Sequence, residues 1–303
     1  ITVVYPIRFP FVGNKIFDII NNQILYFYLA YYKTKYLSQS PIIFSLSPFY
    51  NSAIKRVKPK KIIYYVSDDY GMFKGNNKKV FDLYEKEFIP ECDGVITVSE
   101  LLFNKKKSYN DNTIKIINAT NPNLFSLEKM YKPMDMKRFD GKTVGCVGKI
   151  DDWYDLEFVD NLARLYKEID FVFVGPLVRS IDNIESDNIY FLGQKEYNKI
   201  PNYIHCFDVC IIPYKDIDRI KTVDLPLKLL DYMAAGKPVI AKNINLIEEL
   251  SNLYSICNNL TEFAKVLSHK LKYGDNLKKE RLDFAYKNSW EIRAREISNW
   301  LET

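Results

Sequence analysis

The chain has 303 residues, of which 47% are hydrophobic and 27% are charged, as in an ordinary globular protein. This length predicts two domains or one large one, and it excludes a small scaffold that depends on disulfides. The formal net charge is +5, and the basic residues are dispersed rather than gathered in a recognisable module, which argues against a nucleic-acid binder.

Cysteine and histidine usage narrows the chemistry further. The five cysteines include no C-x-x-C pair, so we expect a reducing compartment, the cytoplasm, rather than a disulfide framework. Only His205 and His269 are present, which argues against a histidine-rich metal site and against Ser-His-Asp chemistry.

The basic charge belongs to the first half of the chain. Residues 1–140 carry 21 Lys+Arg against 13 Asp+Glu, and the remainder carries 22 against 25. Such asymmetry predicts an anionic partner, which could be a membrane surface, a phosphorylated ligand or a nucleic acid, or it reflects a solvated lysine-rich surface. Residues 23–32 are uncharged, rich in Tyr and Phe and followed by lysines. If they form a helix, it could lie at a membrane interface or pack in the hydrophobic core of the protein. The stretch is too short to span a bilayer.

Taken in chain order, short apolar runs alternate with longer segments of helical period, which is typical of parallel sheets covered by helices. In the first half, strands are predicted at 1–5, 42–46, 62–66, 94–98 and 114–117. Helices are predicted between them at 15–35, 80–89 and 100–107.

A second α/β segment follows a predicted linker at 126–141, where periodicity is weak and charge is mixed. Its strands are predicted at 143–147, 171–174, 189–192, 209–212 and 238–241. Its helices are predicted at 155–168, 195–205, 226–235, 260–272 and 290–301. We therefore expect an α/β fold of two Rossmann-like domains facing across a cleft, covering residues 1–138 and 139–287, with a last helix in 288–303.

Ligands of such sheets bind at the carboxyl ends of the strands, so the loops at those ends carry the candidate site. Asp68 and Asp69 follow the strand predicted at 62–66. Two adjacent carboxylates raise one another's pKa, and one of them could act as a general base. Alternatively, one caps the following turn.

Three later strand ends are predicted to approach a ligand. Gly148 and Lys149 follow the strand at 143–147, Gly175 follows the strand at 171–174, and Pro213 and Tyr214 follow the strand at 209–212. Glycine lets a ligand come close to the backbone, and a lysine can neutralise a phosphate.

The most informative segment is RIKTVDLPLKLLDYMAAGKPVIA, residues 219–241. Pro226 is predicted to be the first residue of a helix, with Arg219 and Lys221 just before it, so two cations and a helix N-terminus predict a diphosphate site. Lys228 and Asp231 are three residues apart and share a helix face. They form either a surface ion pair or part of the site, where Asp231 would bind ribose hydroxyls.

These residues resemble a known family, the GT-B glycosyltransferases of the family 4-like group that build bacterial surface polysaccharides. PLKLLDYMAAGKPVIA resembles the helix and strand in which that group holds the ribose of a sugar nucleotide, with Asp231 where Glu is usual. CDGVITVSE (92–100) and IINATNPNLF (116–125) resemble two further motifs of the group. YYVSDDYGMF (64–73) is similar to the Asp-Asp-Tyr motif of teichuronic-acid-type transferases.

The chain departs from this family in two places. The family usually has a second acidic residue eight positions earlier, where this chain has Val223, and the nearest carboxylate is Asp224. The family's first strand and glycine-rich loop are not evident, so the resemblance implies an incomplete N-terminal domain. It also implies that the last helix crosses back to the first domain.

The resemblance implies transfer of a sugar from a nucleotide diphosphate donor to a hydroxyl of a surface-polysaccharide or lipid-linked acceptor. The candidate donor-binding residues are Gly148, Lys149, Gly175, Pro213, Tyr214, Arg219, Lys221, Asp224, Pro226, Lys228 and Asp231. Asp68 or Asp69 would be the base of an inverting enzyme, and in a retaining enzyme the same loop would contact the donor sugar. No metal and no cofactor are expected, and the partners would be donor, acceptor and an anionic membrane at the cytoplasmic face. The alternatives are a sugar-nucleotide epimerase and a non-catalytic binding subunit of the same fold.

Overall fold

The computed structural model describes residues 5–11, 13–37, 39–125, 130–245, 247 and 250–302. These residues pack into two compact units, Ile1–Ile117 and Asn118–Thr303, which are called the first and second unit below. Each unit is built on one parallel sheet with helices between its strands. The predicted α/β class therefore holds in both.

The first unit has a four-stranded sheet whose strands follow one another in chain order. They are β1 (Ile42–Ser45), β2 (Lys61–Val66), β3 (Gly94–Thr97) and β4 (Thr113–Lys115). The helices are α1 (Lys15–Tyr36), α2 (Asn51–Arg56), α3 (Lys78–Phe88) and α4 (Glu100–Lys107). Asn77 and Ser99 start α3 and α4 because their side-chain oxygens accept first-turn N–H groups.

The second unit has a six-stranded sheet in the order β10-β9-β8-β5-β6-β7. Its strands are β5 (Thr143–Val147), β6 (Asp170–Val174), β7 (Ile189–Phe191), β8 (Val209–Pro213), β9 (Val239–Lys242) and β10 (Ser255–Ile256). The strand order reverses between β5 and β8. Such a switch point opens a crevice at the carboxyl ends of the two strands, where α/β sheets bind ligands.

Seven helices are described in this unit. They are α5 (Leu156–Leu165), α6 (Ile200–Cys206), α7 (Asp218–Lys221), α8 (Leu227–Ala234), α9 (Leu260–Tyr273), α10 (Lys278–Lys287) and α11 (Trp290–Glu302). β5, β6, β8 and β9 are almost entirely buried, because helices cover both faces of a doubly wound sheet. Across the described residues, no helix has both the length and the apolar character needed to cross a membrane.

The two units divide at residue 117, earlier than the predicted end of the first domain at residue 138. Residues 118–125 belong to the second unit because Thr120 exchanges backbone hydrogen bonds with Asn288 and Trp290, at 3.1 Å each. Residues 1–4 of the first predicted strand and 126–129 of the predicted linker lie outside the described residues. The course of the last helix towards the first domain stays a prediction.

Candidate functional site

Gly148 and Tyr214 stand at the switch point of the second unit, immediately after β5 and β8. Gly148 has a φ of +121°, a conformation that favours glycine, and its N–H donates to the Val174 carbonyl at 2.9 Å. Pro213 is the last residue of β8, and its carbonyl accepts from the Asp155 N–H at 2.8 Å. The predicted strand-end residues therefore lie at the crevice.

Gly175 is pressed against the backbone of Gly148. A Cβ at Gly175 would lie 2.0 Å from the Gly148 carbonyl oxygen, and Gly175 itself has a φ of +147°. No residue with a side chain fits there without moving the β5 loop. The two glycines thus let the loops after β5 and β6 meet at one point.

Lys228 projects from the first turn of α8 over the end of β5. Its Nζ donates to the Tyr154 hydroxyl and lies 4.5 Å from the centre of the Tyr154 ring and 5.2 Å from that of Tyr214. A Cβ at Gly148 would come within 2.9 Å of this Nζ. The ammonium group therefore sits directly above the strand-end glycine.

The two tyrosines beneath Lys228 are buried and pack edge to face, with ring centres 5.5 Å apart. Burial raises the pKa of Tyr154 well above its ordinary value of 10 and also raises the pKa of Tyr214. Both remain neutral phenols at physiological pH, so they orient the Lys228 ammonium without neutralising its charge. That charge is available to an anion.

Two further cations lie beside the indole of Trp153. The Lys149 Nζ lies 5.4 Å from the ring centre, and the Arg219 Cζ lies 4.3 Å from it. Lys149 is also paired with Asp151 at 2.6 Å. The ring centres of Trp153 and Tyr154 are 6.5 Å apart, so Lys149 and Arg219 lie beside one ring and Lys228 lies over its neighbour.

Lys221 and Asp224 are placed less centrally among the predicted residues. Lys221 is half-exposed and pairs with Asp216 at 2.9 Å and with Asp218 at 3.8 Å, so carboxylates of its own loop take up its charge. Asp224 is half-buried in the segment between α7 and α8. Their roles in donor binding stay predictions.

Pro226 is predicted to be the first residue of a helix, but α8 begins one residue later, at Leu227, and Pro226 is its N-cap. Its side chain cannot accept a hydrogen bond, and no side-chain cap is present at this end of α8. The Leu229 N–H donates to the Pro226 carbonyl at 2.9 Å, whereas the amides of Leu227 and Lys228 lie at a helix end without a capping side chain, as an anion site at a helix N-terminus requires.

Asp231 lies one turn after Lys228 on α8. Its Oδ1 accepts from the Thr120 hydroxyl at 2.7 Å. Burial raises the pKa of Asp231 from its ordinary value of 3.8 to about 6, while Thr120 and the charge of Lys228 oppose that rise. The carboxylate is thus held in place and poised to titrate near neutral pH.

In the first unit, Asp68 and Asp69 occupy the turn after β2, as predicted. Asp69 is buried, and its Oδ2 lies 3.4 Å from Lys105 Nζ and 3.9 Å from Lys78 Nζ. Asp68 is half-buried, and its carbonyl accepts from the Tyr70 N–H at 3.0 Å. Asp69 therefore takes part in a lysine network.

A cavity of about 620 Å³ opens beside this turn. Aromatic rings, amides and one cation line it, including those of Tyr50, Tyr70, Asn76, Asn77 and Arg8. Rings and amides of this kind bind the faces and hydroxyls of sugars.

Part of the second unit matches a known protein family. Residues 141–272 match the family described as glycosyl transferases group 1. This matched segment is less than half of the chain and is called the group 1 domain below.

The chain also resembles individual proteins. It is 25% identical over 187 residues to TuaH of Bacillus subtilis (strain 168), which is by provisional assignment a teichuronic acid biosynthesis glycosyltransferase. That alignment covers 58% of this chain and 47% of TuaH, so the chain spans about half the length of this curated relative.

Three solved structures share the fold. HepE of Anabaena, in complex with UDP and glucose, has a TM-score of 0.71 at 14% identity and covers 93% of this chain and 81% of its own. A glycosyltransferase of Rickettsia africae has a TM-score of 0.68 at 17% identity, and the match covers 100% of this chain and 84% of the other. Sucrose-phosphate synthase of Thermosynechococcus elongatus has a TM-score of 0.68 at 16% identity, and the match covers 93% of this chain and 78% of the other. The predicted resemblance to GT-B glycosyltransferases and the GT-B fold class are confirmed.

Sequence reasoning missed three side chains around the group 1 domain's crevice: Trp153, Tyr154 and Thr120. The signal for the first two was an aromatic pair in the loop that follows the predicted strand-end Gly-Lys, where an aromatic face can attract a cation. Thr120 gave no local signal, because its contact with Asp231 joins residues far apart in the sequence.

The described residues contain no group of three or more His, Cys, Asp or Glu side chains that could hold a metal ion. Metal independence stays a prediction, because the charge of a bound diphosphate can be met by lysine and arginine or by an ion that arrives with the donor.

Proposed function

We propose that this protein transfers a sugar from a nucleotide diphosphate donor, bound by the group 1 domain, to a hydroxyl of a surface-polysaccharide or lipid-linked acceptor. One observation supports the proposal: Lys228 lies over Gly148 and the Tyr154 ring, and Lys149 and Arg219 lie beside the neighbouring Trp153 ring. Three cations beside close-approach glycines and an uncapped helix end form a site for a diphosphate. The names of the relatives support transfer rather than epimerisation or a non-catalytic role.

The three cations would stabilise the negative charge that builds on the departing diphosphate. Fixed charges aimed at the leaving group usually make the largest single contribution to such a reaction. They do so without a bound metal ion in this proposal, so EDTA should leave activity unchanged. Asp231 would accept hydrogen bonds from the ribose hydroxyls, since Thr120 holds its carboxylate in place.

For a reaction that inverts the configuration at the sugar, we assign the base to Asp68 rather than Asp69. A base must accept a proton from the acceptor hydroxyl. Asp69 is buried against Lys105, and its negative charge there holds the lysine network together. Asp68 begins the same turn and is less buried than Asp69, although its Oδ1 atom is buried.

The cavity beside Tyr70 is the proposed acceptor site of the first unit. It lies next to the turn that carries Asp68, and its rings and amides suit a glycan. Arg8 at its edge suits a phosphate, such as that of a lipid-linked acceptor.

We further propose that α1 contacts an anionic membrane at the cytoplasmic face. The buried residues of α1 are polar, Asp18 and Asn21, whereas Ile16, Ile19 and Phe27 are 61–70% exposed. Lysines lie in its last turn, and the first half of the chain is basic. An apolar helix face bordered by cations suits the surface of a bilayer that contains acidic lipids.

The donor proposal is tested by a screen of UDP and GDP sugars for a rise in melting temperature, followed by a transfer assay with a lipid-linked glycan. We expect one donor to stabilise the protein, since a ligand that binds only the folded state raises its apparent stability. We expect release of the nucleoside diphosphate, together with transfer of the sugar, only when acceptor is present. Release without acceptor would favour the epimerase alternative, and the absence of any donor binding would contradict the proposal.

The membrane proposal is tested by sedimentation with vesicles that contain phosphatidylglycerol. Wild-type protein should sediment with them, Phe27→Glu should not, and Leu165→Glu should behave like wild type because Leu165, 59% exposed, lies in the second unit. Equal sedimentation of all three, or a dimer that dissociates in Phe27→Glu without vesicle binding, would show that α1 does not dock on lipid.

A further inference from the structure

The indole of Trp153 is in contact with two of the three cations that the donor site uses. Arg219 Cζ lies 4.3 Å from its ring centre and Lys149 Nζ lies 5.4 Å from it. Both distances are within the range of about 6 Å over which an aromatic face attracts a cation. Trp153 itself is partly buried in the loop between β5 and α5.

Two long, like-charged side chains do not stay together at a protein surface without a reason. Their charges repel one another, and each side chain loses rotamer freedom when it is fixed. The indole offsets both costs because its negative face attracts a guanidinium and an ammonium at once. Arg219 and Lys149 come from different elements, α7 and the β5 loop, so the ring is what they share.

Asp151 adds to this arrangement on the Lys149 side. Its carboxylate pairs with Lys149 at 2.6 Å, and Lys149 holds the pKa of Asp151 below its usual range against the opposing effect of burial. Lys149 is therefore held between a carboxylate and the indole. An arriving phosphate would compete with Asp151 for the ammonium and leave the contact with the ring in place.

We propose that Trp153 is a positioning residue that holds Lys149 and Arg219 ready for the diphosphate of the donor. The inference rests on the proposed function and assigns to it a residue that no motif contains. Trp153 acts through the two cations, so its replacement should weaken donor binding more than it slows the chemical step.

The first experiment measures the affinity for UDP, or for GDP if that binds more tightly, by calorimetry in the full chain. Trp153→Ala should raise Kd about five- to tenfold, the loss expected for two cation–π contacts and the ordering they provide. Trp153→Phe keeps an aromatic face and should raise Kd only about twofold. In the transfer assay, KM for the donor should rise in proportion while kcat changes little.

A double-mutant cycle separates positioning from folding. If Trp153 acts through Arg219, then Trp153→Ala should cost less in an Arg219→Ala background than in wild type, because one of the two side chains that Trp153 orients is already gone. Strict additivity of the two losses would overturn the inference, since it would mean that Trp153 acts independently of Arg219.

Tryptophan fluorescence provides a readout that a purely structural role would not move. The chain has three tryptophans, Trp153, Trp290 and Trp300. Nucleotide should change the emission of wild type, Trp290→Phe and Trp300→Phe, but not that of Trp153→Phe, which still binds. Wild-type binding without any difference in affinity or emission for the Trp153 variants would refute this inference alone. Failure of wild-type protein to bind either nucleotide would refute the proposed function and this inference with it.

Discussion

Lys228 and Asp231 share one face of α8, yet each has a partner elsewhere. The ammonium of Lys228 donates to the Tyr154 hydroxyl, and the carboxylate of Asp231 accepts from Thr120. A surface ion pair between them would contribute little. Because each group is hydrogen-bonded to a neutral hydroxyl, neither neutralises the other. Both charges can therefore interact with a ligand, so this i,i+3 pair can be part of a binding site.

The raised pKa of Asp231 predicts a pH dependence of stability. Its pKa is about 6 in the folded protein and near 3.8 in an unfolded chain, so the folded state binds the proton more tightly. The contribution to stability is complete below pH 3.8 and is lost as the pH rises through 6, by at most about 3 kcal/mol. Urea unfolding from pH 4 to 7 should show this loss in wild type relative to Asp231→Asn.

A companion variant tests the physical cause. Thr120→Val removes the hydroxyl that stabilises the charged carboxylate, so the pKa of Asp231 should rise further. The loss of stability should then extend to higher pH than in wild type. Parallel stability curves for wild type and Asp231→Asn would contradict a raised pKa.

The loops after β5 and β6 form the floor of the crevice because two glycines let their backbones touch. Gly175→Ala would place a methyl group 2.0 Å from the Gly148 carbonyl. We expect it to lower the free energy of unfolding by at least about 2 kcal/mol and to weaken nucleotide binding, because the β5 loop must move away from Lys228.

Gly193→Ala is the matched control for that substitution. Gly193 also has a positive φ, +70°, but a Cβ there meets nothing within 4 Å. Gly193→Ala should lower the free energy of unfolding by only about 1 kcal/mol, the cost of the left-handed backbone. The variant should bind nucleotide normally. Equal behaviour of the two variants would show that backbone strain, not the contact of the two loops, accounts for the effect.

Across the whole molecule, the sequence predicted the strands well because buried parallel strands are short, apolar and β-branched. The strand predicted at 143–147 and the helix predicted at 100–107 match β5 and α4 residue for residue. It missed α10, whose buried residues are Arg281 and Ala285. The Arg281 guanidinium pairs with Asp275 and donates to the Leu253 carbonyl at 2.8 Å, so this helix has no apolar stripe to recognise.

The site was predicted in part for a related reason. Strand ends and a helix start can be located from local patterns, and they placed Gly148, Tyr214 and Lys228 correctly at the carboxyl edge of the sheet. The contacts that complete the site join distant residues, as Thr120 joins Asp231. Such contacts depend on how elements pack, which no local pattern encodes.

The central claim is that Lys149, Arg219 and Lys228 bind a diphosphate together, and calorimetry with UDP and UMP, or with GDP and GMP, tests it most directly. Wild-type protein should bind the diphosphate at least about tenfold more tightly than the monophosphate, and replacing any of the three cations by Ala should remove most of that difference. Lys167→Ala should not, because Lys167 is exposed and follows α5 at the opposite edge of the sheet. Equal affinity for diphosphate and monophosphate in wild type, or an unchanged difference in the Ala variants, would contradict the account.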